Sequence, residues 1–284
     1  MGVTNIIIVV ILILVLIWGL QNLFFKTNII YDQMCDAEKP NDETSKANVI
    51  LANDIPETNS SNFMLSVWFY IDNWGNNIAN EKNILYMATD KSSKTVSALQ
   101  TQLSGISNKV TISGDTVTPY KNINIALDKY ENNLFIDLES YLDKNQGSNK
   151  TNFTRYKIPN IPVQKWNNLT ISIDTRTLDV YLDGKLRNSF IMHGLYKNYY
   201  ENSKKKNIYI GNMKTSSATT DTTNIGFAGF ITRIRYVGYS INPQEAYNIY
   251  KEGISSSLAS SMFNKYSLKV SFLEYNKEKG TFQL

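Results

Sequence analysis

From Asn62 onward the chain is a succession of short apolar alternations broken by clusters of Asn, Asp, Gly and Ser, and this punctuation sets the fold class. Leu169, Ile171 and Ile173 alternate with Thr170 and Ser172, and Leu178, Val180 and Leu182 alternate with Asp179 and Tyr181. A period of two places one set on each face of a strand, so both segments read as half-buried strands. Residues 174–177 make a tight connection between them. Asp183 and Gly184 then supply the pair a type I′ turn needs, because both of its central positions take positive φ. A third, strand-like stretch over 188–191 completes a meander.

Further strands are predicted at 64–71, 84–88, 110–113, 134–139, 208–211 and 231–237. The first carries Val67, Phe69 and Ile71 on one face and Trp68 and Tyr70 on the other. Short strands with turn signals between them predict an all-β fold, a two-sheet antiparallel sandwich. One short helix is expected. Asn242 caps it, Pro243 fits its first turn, Glu245 completes a capping box and Gly253 stops it, with Ala246, Ile249 and Tyr250 as its inner stripe. Residues 266–275 alternate again and predict an extra strand in a C-terminal extension, 254–284.

Ahead of this pattern, residues 6–20 form an unbroken apolar run, and apolar character resumes at Leu23, Phe24 and Phe25. Roughly 20 such residues make about 30 Å of helix, enough to cross a bilayer's hydrocarbon core. No basic residue precedes Ile6, the run exceeds a signal peptide's usual apolar region, and no small-residue cleavage site follows. The expectation is one transmembrane helix within 1–26 that stays attached. Ile6 and Leu12 lie in its lipid-facing run, and Trp18 and Phe25 suit the far interface. The location implied is a membrane crossed once, with the lipid bilayer as a partner. Residues 27–61 turn polar around Pro40 and Pro56 and read as a stalk, with Cys35 as a plain linker thiol. The sandwich is assigned to 62–253.

Charge and residue counts narrow the chemistry. Among 284 residues, 29 Lys and Arg against 25 Asp and Glu leave a net charge of +4, too mild and dispersed for nucleic acid to be the main partner. A single cysteine and a single histidine, His193, exclude an intramolecular disulfide, a zinc-finger cluster and the HExxH zinc motif.

The order of elements resembles the laminin G-like jelly rolls of the concanavalin A-like lectin and glucanase superfamily. Phe63 to Phe69 (FMLSVWF) looks like the opening strand and Asn83 to Met87 (NILYM) like its partner. Val163 to Ile171 (VQKWNNLTI) resembles the family strand that opens with a tryptophan, and Leu178 to Lys185 (LDVYLDGK) its tyrosine and Asx-Gly hairpin. Ile208 to Gly211 (IYIG) and Gly226 to Arg235 (GFAGFITRIR) resemble the closing strands. The resemblance covers about 62–253 and implies a jelly roll that serves binding or, in the glucanases, hydrolysis.

Glucanases of that superfamily carry Glu, Asp and Glu at alternate strand positions, and a retaining glycosidase needs two carboxyls about 5 to 5.5 Å apart. The nearest segment here is Phe135, Asp137 and Glu139, with Phe135 in the first carboxylate's place. It reads instead as a strand with Leu134, Ile136 and Leu138 inward and two solvated acids. His193 has no evident nucleophile or orienting acid. The chain is therefore expected not to be an enzyme, and no catalytic residue or cofactor is assigned.

Two loops are the candidate ligand or partner contacts. One offers Trp74 and Asn76. The other offers Tyr196, Tyr199 and Tyr200 and runs on to Lys204. Four N-x-S/T sequons begin at Asn59, Asn149, Asn152 and Asn168. The leading expectation is a membrane-anchored, non-enzymatic structural protein whose jelly roll docks a neighbouring protein. With its Asn, Lys, Ile and Tyr bias, the chain resembles membrane-associated minor virion proteins of large DNA viruses, which implies a capsid as the partner and a virion's internal membrane or a host membrane as the location. The alternative is a surface lectin that binds glycans, with or without calcium, since such sites use loop Asp and Asn oxygens for calcium and an aromatic face for the sugar.

Overall fold

A computed structural model describes residues 28–39, 48–56, 60–89, 101–102, 110–113, 121–141, 150–197, 206–213, 224–254, 269–274 and 277–283. The apolar run lies outside them. Among the described residues no helix is long and apolar enough to cross a membrane.

Two β-sheets are packed face to face. The first is built from β1 (Ile29–Tyr31), β2 (Cys35–Asp36), β4 (Phe63–Asn73), β11 (Trp166–Asp174), β12 (Thr177–Leu182), β13 (Lys185–Ile191) and β15 (Ala228–Val237). Its order is β1-β15-β4-β11-β12-β13, with β2 also on β15. The second holds β3 (Val49–Ile50), β5 (Lys82–Ala88), β6 (Thr101–Gln102), β7 (Val110–Ser113), β8 (Ile123–Leu127), β9 (Leu134–Tyr141), β10 (Lys150–Ile158) and β14 (Asn207–Ile210). Its order is β3-β14-β5-β8-β9-β10-β6, with β7 also on β10. Pairing is antiparallel throughout except between β6 and β10.

The alternation read from the sequence is what fills the space between the sheets. Val67, Phe69 and Ile71 of β4 and Ile171 and Ile173 of β11 meet Ile123, Ile125 and Leu127 of β8 and Leu134, Ile136 and Leu138 of β9, all in one buried cluster. Each such side chain contributes about 1.5–3 kcal/mol by leaving water. The turn at Asp183 and Gly184 has φ of 51° and 71°, as a type I′ turn requires.

The helix α1 (Pro243–Lys251) has the full capping box, with the Asn242 side chain accepting from the Glu245 N–H and the Glu245 carboxylate accepting from the Asn242 N–H. Ala246 and Ile249 join Met64, Tyr181 and Val237 in a second cluster, and Tyr250 stacks on Trp68 at 5.6 Å. The helix thus covers the outer face of the first sheet.

The stalk reading of 27–61 is corrected here. Ile29 and Tyr31 pair with β15, Cys35 and Asp36 pair with Ile231 and Phe230, and Val49 and Ile50 pair with β14. Cys35, Ala37, Ile50 and Ile55 are core residues. Strands of two or three residues carry no readable period, so only the pairing reveals them. Cys35 is therefore no linker thiol: desolvation, reinforced by Asp36 and opposed by a hydrogen bond with Tyr31, pushes its pKa up to about 12. The extra strand expected near the C-terminus is β16 (Lys269–Glu274), which forms a separate hairpin with β17 (Lys277–Gln283).

Candidate functional site

Three connections converge at one end of the sandwich: 74–81 between β4 and β5, 128–133 between β8 and β9, and 159–165 between β10 and β11. The Asn73 side chain accepts from the Gly75 N–H at 2.8 Å, an Asx turn that brings Trp74 off the end of β4. The Asp128 N–H donates to the Asn133 carbonyl at 2.9 Å and closes the second loop. In the third, Asn160 and Gln164 adopt left-handed φ of 58° and 57°. Buried Asn167 holds that turn by donating to the carbonyls of Pro162 and Lys165.

Two backbone bonds tie the third connection to the second and to the end of β4. The Ile161 N–H donates to the Asn132 carbonyl at 2.7 Å, and the Gln164 N–H to the Ile71 carbonyl at 2.7 Å. Between them lies an open groove of about 690 Å³ lined by Trp74, Tyr130, Glu131, Asn132, Asn133, Lys157, Pro159, Asn160 and Val163. Trp74 is half-buried against the core and its Nε1 is buried without an acceptor, whereas Tyr130 is 66% exposed.

The charges around the groove are internally matched. Lys157 Nζ lies 3.0 Å from Glu131 Oε2, and Asn133 Nδ2 donates to Glu131 Oε2 at 2.6 Å and to Asp128 Oδ2 at 3.0 Å. The bonds from Lys157 and then Asn133 hold the Glu131 carboxyl below its ordinary pKa. Because an amide nitrogen occupies the point where these two carboxylates meet, the donor set does not fit a calcium ion. Among the described residues no group of three or more His, Cys, Asp or Glu side chains could hold a metal. Beneath Trp74, Lys82 is fully buried, its Nζ 5.0 Å from the indole centroid and donating to the carbonyls of Asp128 and Lys129 at 3.2 and 3.1 Å. Burial lowers the Lys82 pKa, and the Asp128 charge opposes that shift in part.

The acids of β9 are not solvated, contrary to the expectation from alternation alone. Asp137 and Glu139 are 2% and 5% exposed. Arg155, its register partner on β10, grips Asp137 through Nε and Nη2 at 2.6 and 2.8 Å and pairs with Glu81 through both terminal nitrogens. Glu139 meets Lys197 Nζ at 3.0 Å and accepts from Asn122 at 3.1 Å, with Lys206 Nζ 3.9 Å away. Phe135 sits under the Arg155 guanidinium at 4.4 Å. Both carboxylates are thus tied into ion pairs with neighbouring cations.

Of the candidate contacts named from the sequence, the structure brings one, Trp74, into the groove. Asn76 instead donates to Glu38 at 2.8 Å. Tyr196 is corrected from a loop contact to a core residue: it is 1% exposed, packs on Phe63 at 4.8 Å and donates to Asn122. Tyr199, Tyr200, Lys204 and the anchor residues Ile6, Leu12, Trp18 and Phe25 lie outside the described residues. Two sequons are closed by burial, since Asn152 and Asn168 are 2% and 0% exposed. The groove residues that sequence reasoning missed, Tyr130, Asn132, Asn133 and Asn160, belong to polar turns, and their shared signal was Asn within two residues of an aromatic or Pro between two strands.

No known family profile matches the chain, and no curated protein matches it. Among solved structures it is similar to domain 4 of AbnA, a GH43 extracellular arabinanase from Geobacillus stearothermophilus, in complex with arabinotriose, at 15% identity over 67% of each chain with a TM-score of 0.38. It is similar also to the binding domain of botulinum neurotoxin serotype G, at 17% identity over 78% of this chain and 46% of that one, TM-score 0.41. A third likeness is to Trypanosoma rangeli sialidase, at 13% identity over 69% of this chain and 24% of that one, TM-score 0.37. The match thus spans less than half of the toxin domain and about a quarter of the sialidase. At these TM-scores the ligands of those proteins say nothing of this chain's own.

Proposed function

We propose that the chain is a non-catalytic, membrane-tethered glycan-binding protein: a laminin G-like jelly roll whose groove at Trp74 takes an uncharged saccharide. One observation carries the reading, the convergence of Trp74 and Tyr130 with the exposed amides of Asn132 and Asn160 in a single groove. An aromatic face covers the apolar face of a sugar ring while amides donate to and accept from its hydroxyls. The charged lining residues Glu131 and Lys157 neutralise each other, which favours a neutral ligand over an acidic one. The apolar run over 6–20 would supply the tether. The ion-paired state of Asp137 and Glu139 supports a role without hydrolysis.

The test is binding of the full-length chain in detergent to immobilised neutral and sialylated oligosaccharides. Binding to a neutral set is expected, and Trp74→Ala should weaken it at least tenfold, about 1.4 kcal/mol. Absence of binding to every oligosaccharide, or binding indifferent to Trp74→Ala, would refute the assignment. Docking of a neighbouring structural protein, a capsid among them, is the second reading. It is favoured by the exposed rings of Tyr239 and Tyr247 at α1 and the turn before it, 54% and 43% exposed. Cross-links from these rings to one abundant protein at fixed stoichiometry would put it first.

A further inference from the structure

We infer that Lys82 is a positioning residue whose buried ammonium joins the Trp74 wall of the groove to the 128–133 loop that carries Tyr130. The inference rests on the reading of this groove as the ligand site. Lys82 opens β5 opposite Leu127 of β8, and because residues directly opposite on paired strands share a face, it lies on the core side that Leu127 fills. Its neighbours Glu81 and Asn83 turn to the other face, where Arg155 and Lys121 engage them. The lysine stem is thereby directed under the groove with no exposed surface.

Burying an ammonium is costly, and a methionine would fill the same volume without that cost. What the charge adds is geometry. Two of the three N–H donors go to the carbonyls of consecutive residues, Asp128 and Lys129, immediately before Tyr130. The indole of Trp74 lies over the same nitrogen at cation–π range, 5.0 Å. One atom therefore touches both walls and sets their spacing. Among the described residues no carboxylate contacts it: Asp128 is the charged group that faces it from the packed loop, acting at longer range, and Trp74 brings none.

The arrangement makes groove geometry depend on a proton. Burial lowers the Lys82 pKa, so the joint weakens as pH rises through that value, below the range of about 10.4 where exposed lysines titrate. Loss of this proton does not destabilise the fold. A lysine whose folded-state pKa lies below its unfolded one favours the folded state as pH rises between the two values. Ligand affinity and this group's share of stability should thus move in opposite directions with pH, which a merely structural lysine would not produce.

The experiment isolates the Trp74 emission of the full-length chain by difference from Trp74→Phe, and follows its quenching by acrylamide in wild type, Lys82→Met and Lys82→Arg. Lys82→Met should raise the quenching and lower affinity for the immobilised neutral oligosaccharides about tenfold without lowering Tm. Lys82→Arg should keep both properties and abolish the alkaline rise in quenching that wild type shows on the approach to about pH 10.4, where exposed lysines titrate. Unchanged Trp74 quenching in Lys82→Met overturns the inference whether or not a glycan binds. Should Lys82→Met fail to fold, the comparison of wild type with Lys82→Arg across that pH range decides, and identical profiles overturn it. If Trp74 responds as described but wild type binds no oligosaccharide, Lys82 keeps its positioning role and the glycan reading falls.

Discussion

Replacing Gly226 by alanine asks whether residues 28–39 are truly part of the sandwich. The added methyl would stand 1.7 Å from the Ala37 carbonyl oxygen, 2.8 Å from its carbon and 2.9 Å from Asn212 Cβ, where real contacts are essentially never under 3.0 Å. Gly226 does not occupy a left-handed conformation, so the backbone accepts alanine and the cost is purely steric. Residues 35–37 must then move by more than an ångström, breaking the Ala37 N–H bond to the Gly229 carbonyl at 2.9 Å and the pairing of Cys35 with Ile231. One backbone hydrogen bond is worth about 1 kcal/mol, and re-exposing the small side chains of Cys35 and Ala37 adds about 1–2 kcal/mol. With residual strain the loss is about 2–4 kcal/mol, a Tm decrease of about 5–15 °C for a domain of this size.

Thiol chemistry reads the same event locally. Cys35 is the chain's sole cysteine and is 3% exposed, with its pKa pushed up to about 12, so it should react very slowly with an aromatic disulfide reagent at pH 8. In Gly226→Ala its pKa should return toward the ordinary 9.0. Its labelling should then speed up by at least about a hundredfold. A variant with wild-type Tm and a still protected thiol would refute the placement of β2 against β15.

Arg155→Met leaves Asp137 buried without its cation and should cost about 3–5 kcal/mol in a denaturant or thermal melt; a change under about 1 kcal/mol would mean the pair is not structural. Asn242→Ala removes the side-chain acceptor for the Glu245 N–H, one half of the capping box at α1, and should lower stability by about 1 kcal/mol, with faster amide exchange confined to the first turn of the helix.

How much of this was legible beforehand depends on where each residue's partners come from. The hairpin through Asp183 and Gly184, the core faces of β4, β11 and β12 and the capping box of α1 depend on residues near one another in the chain, and local period and turn chemistry specify them. The second sheet was read less completely. The segment 123–127 is too short and 150–158 too polar to carry a clear strand pattern, although β8 and β10 flank β9. Trp74 was identified because an aromatic among Asn and Gly in a turn stands out locally. Its companions Tyr130 and Asn160 are 56 and 86 residues further on and meet it because three loops end at the same rim.

The sequence by itself determined the sandwich class and the helix cap, since period-two burial and N-terminal capping are properties of neighbouring residues. Only the tertiary structure decided that Asp137, Glu139 and Lys82 are buried and that Cys35 and Tyr196 are core rather than linker and loop. A charged side chain enters the interior when a partner from another strand offsets its desolvation, and those partners, Arg155, Lys197 and the carbonyls of Asp128 and Lys129, arrive through long-range pairing that no local pattern records.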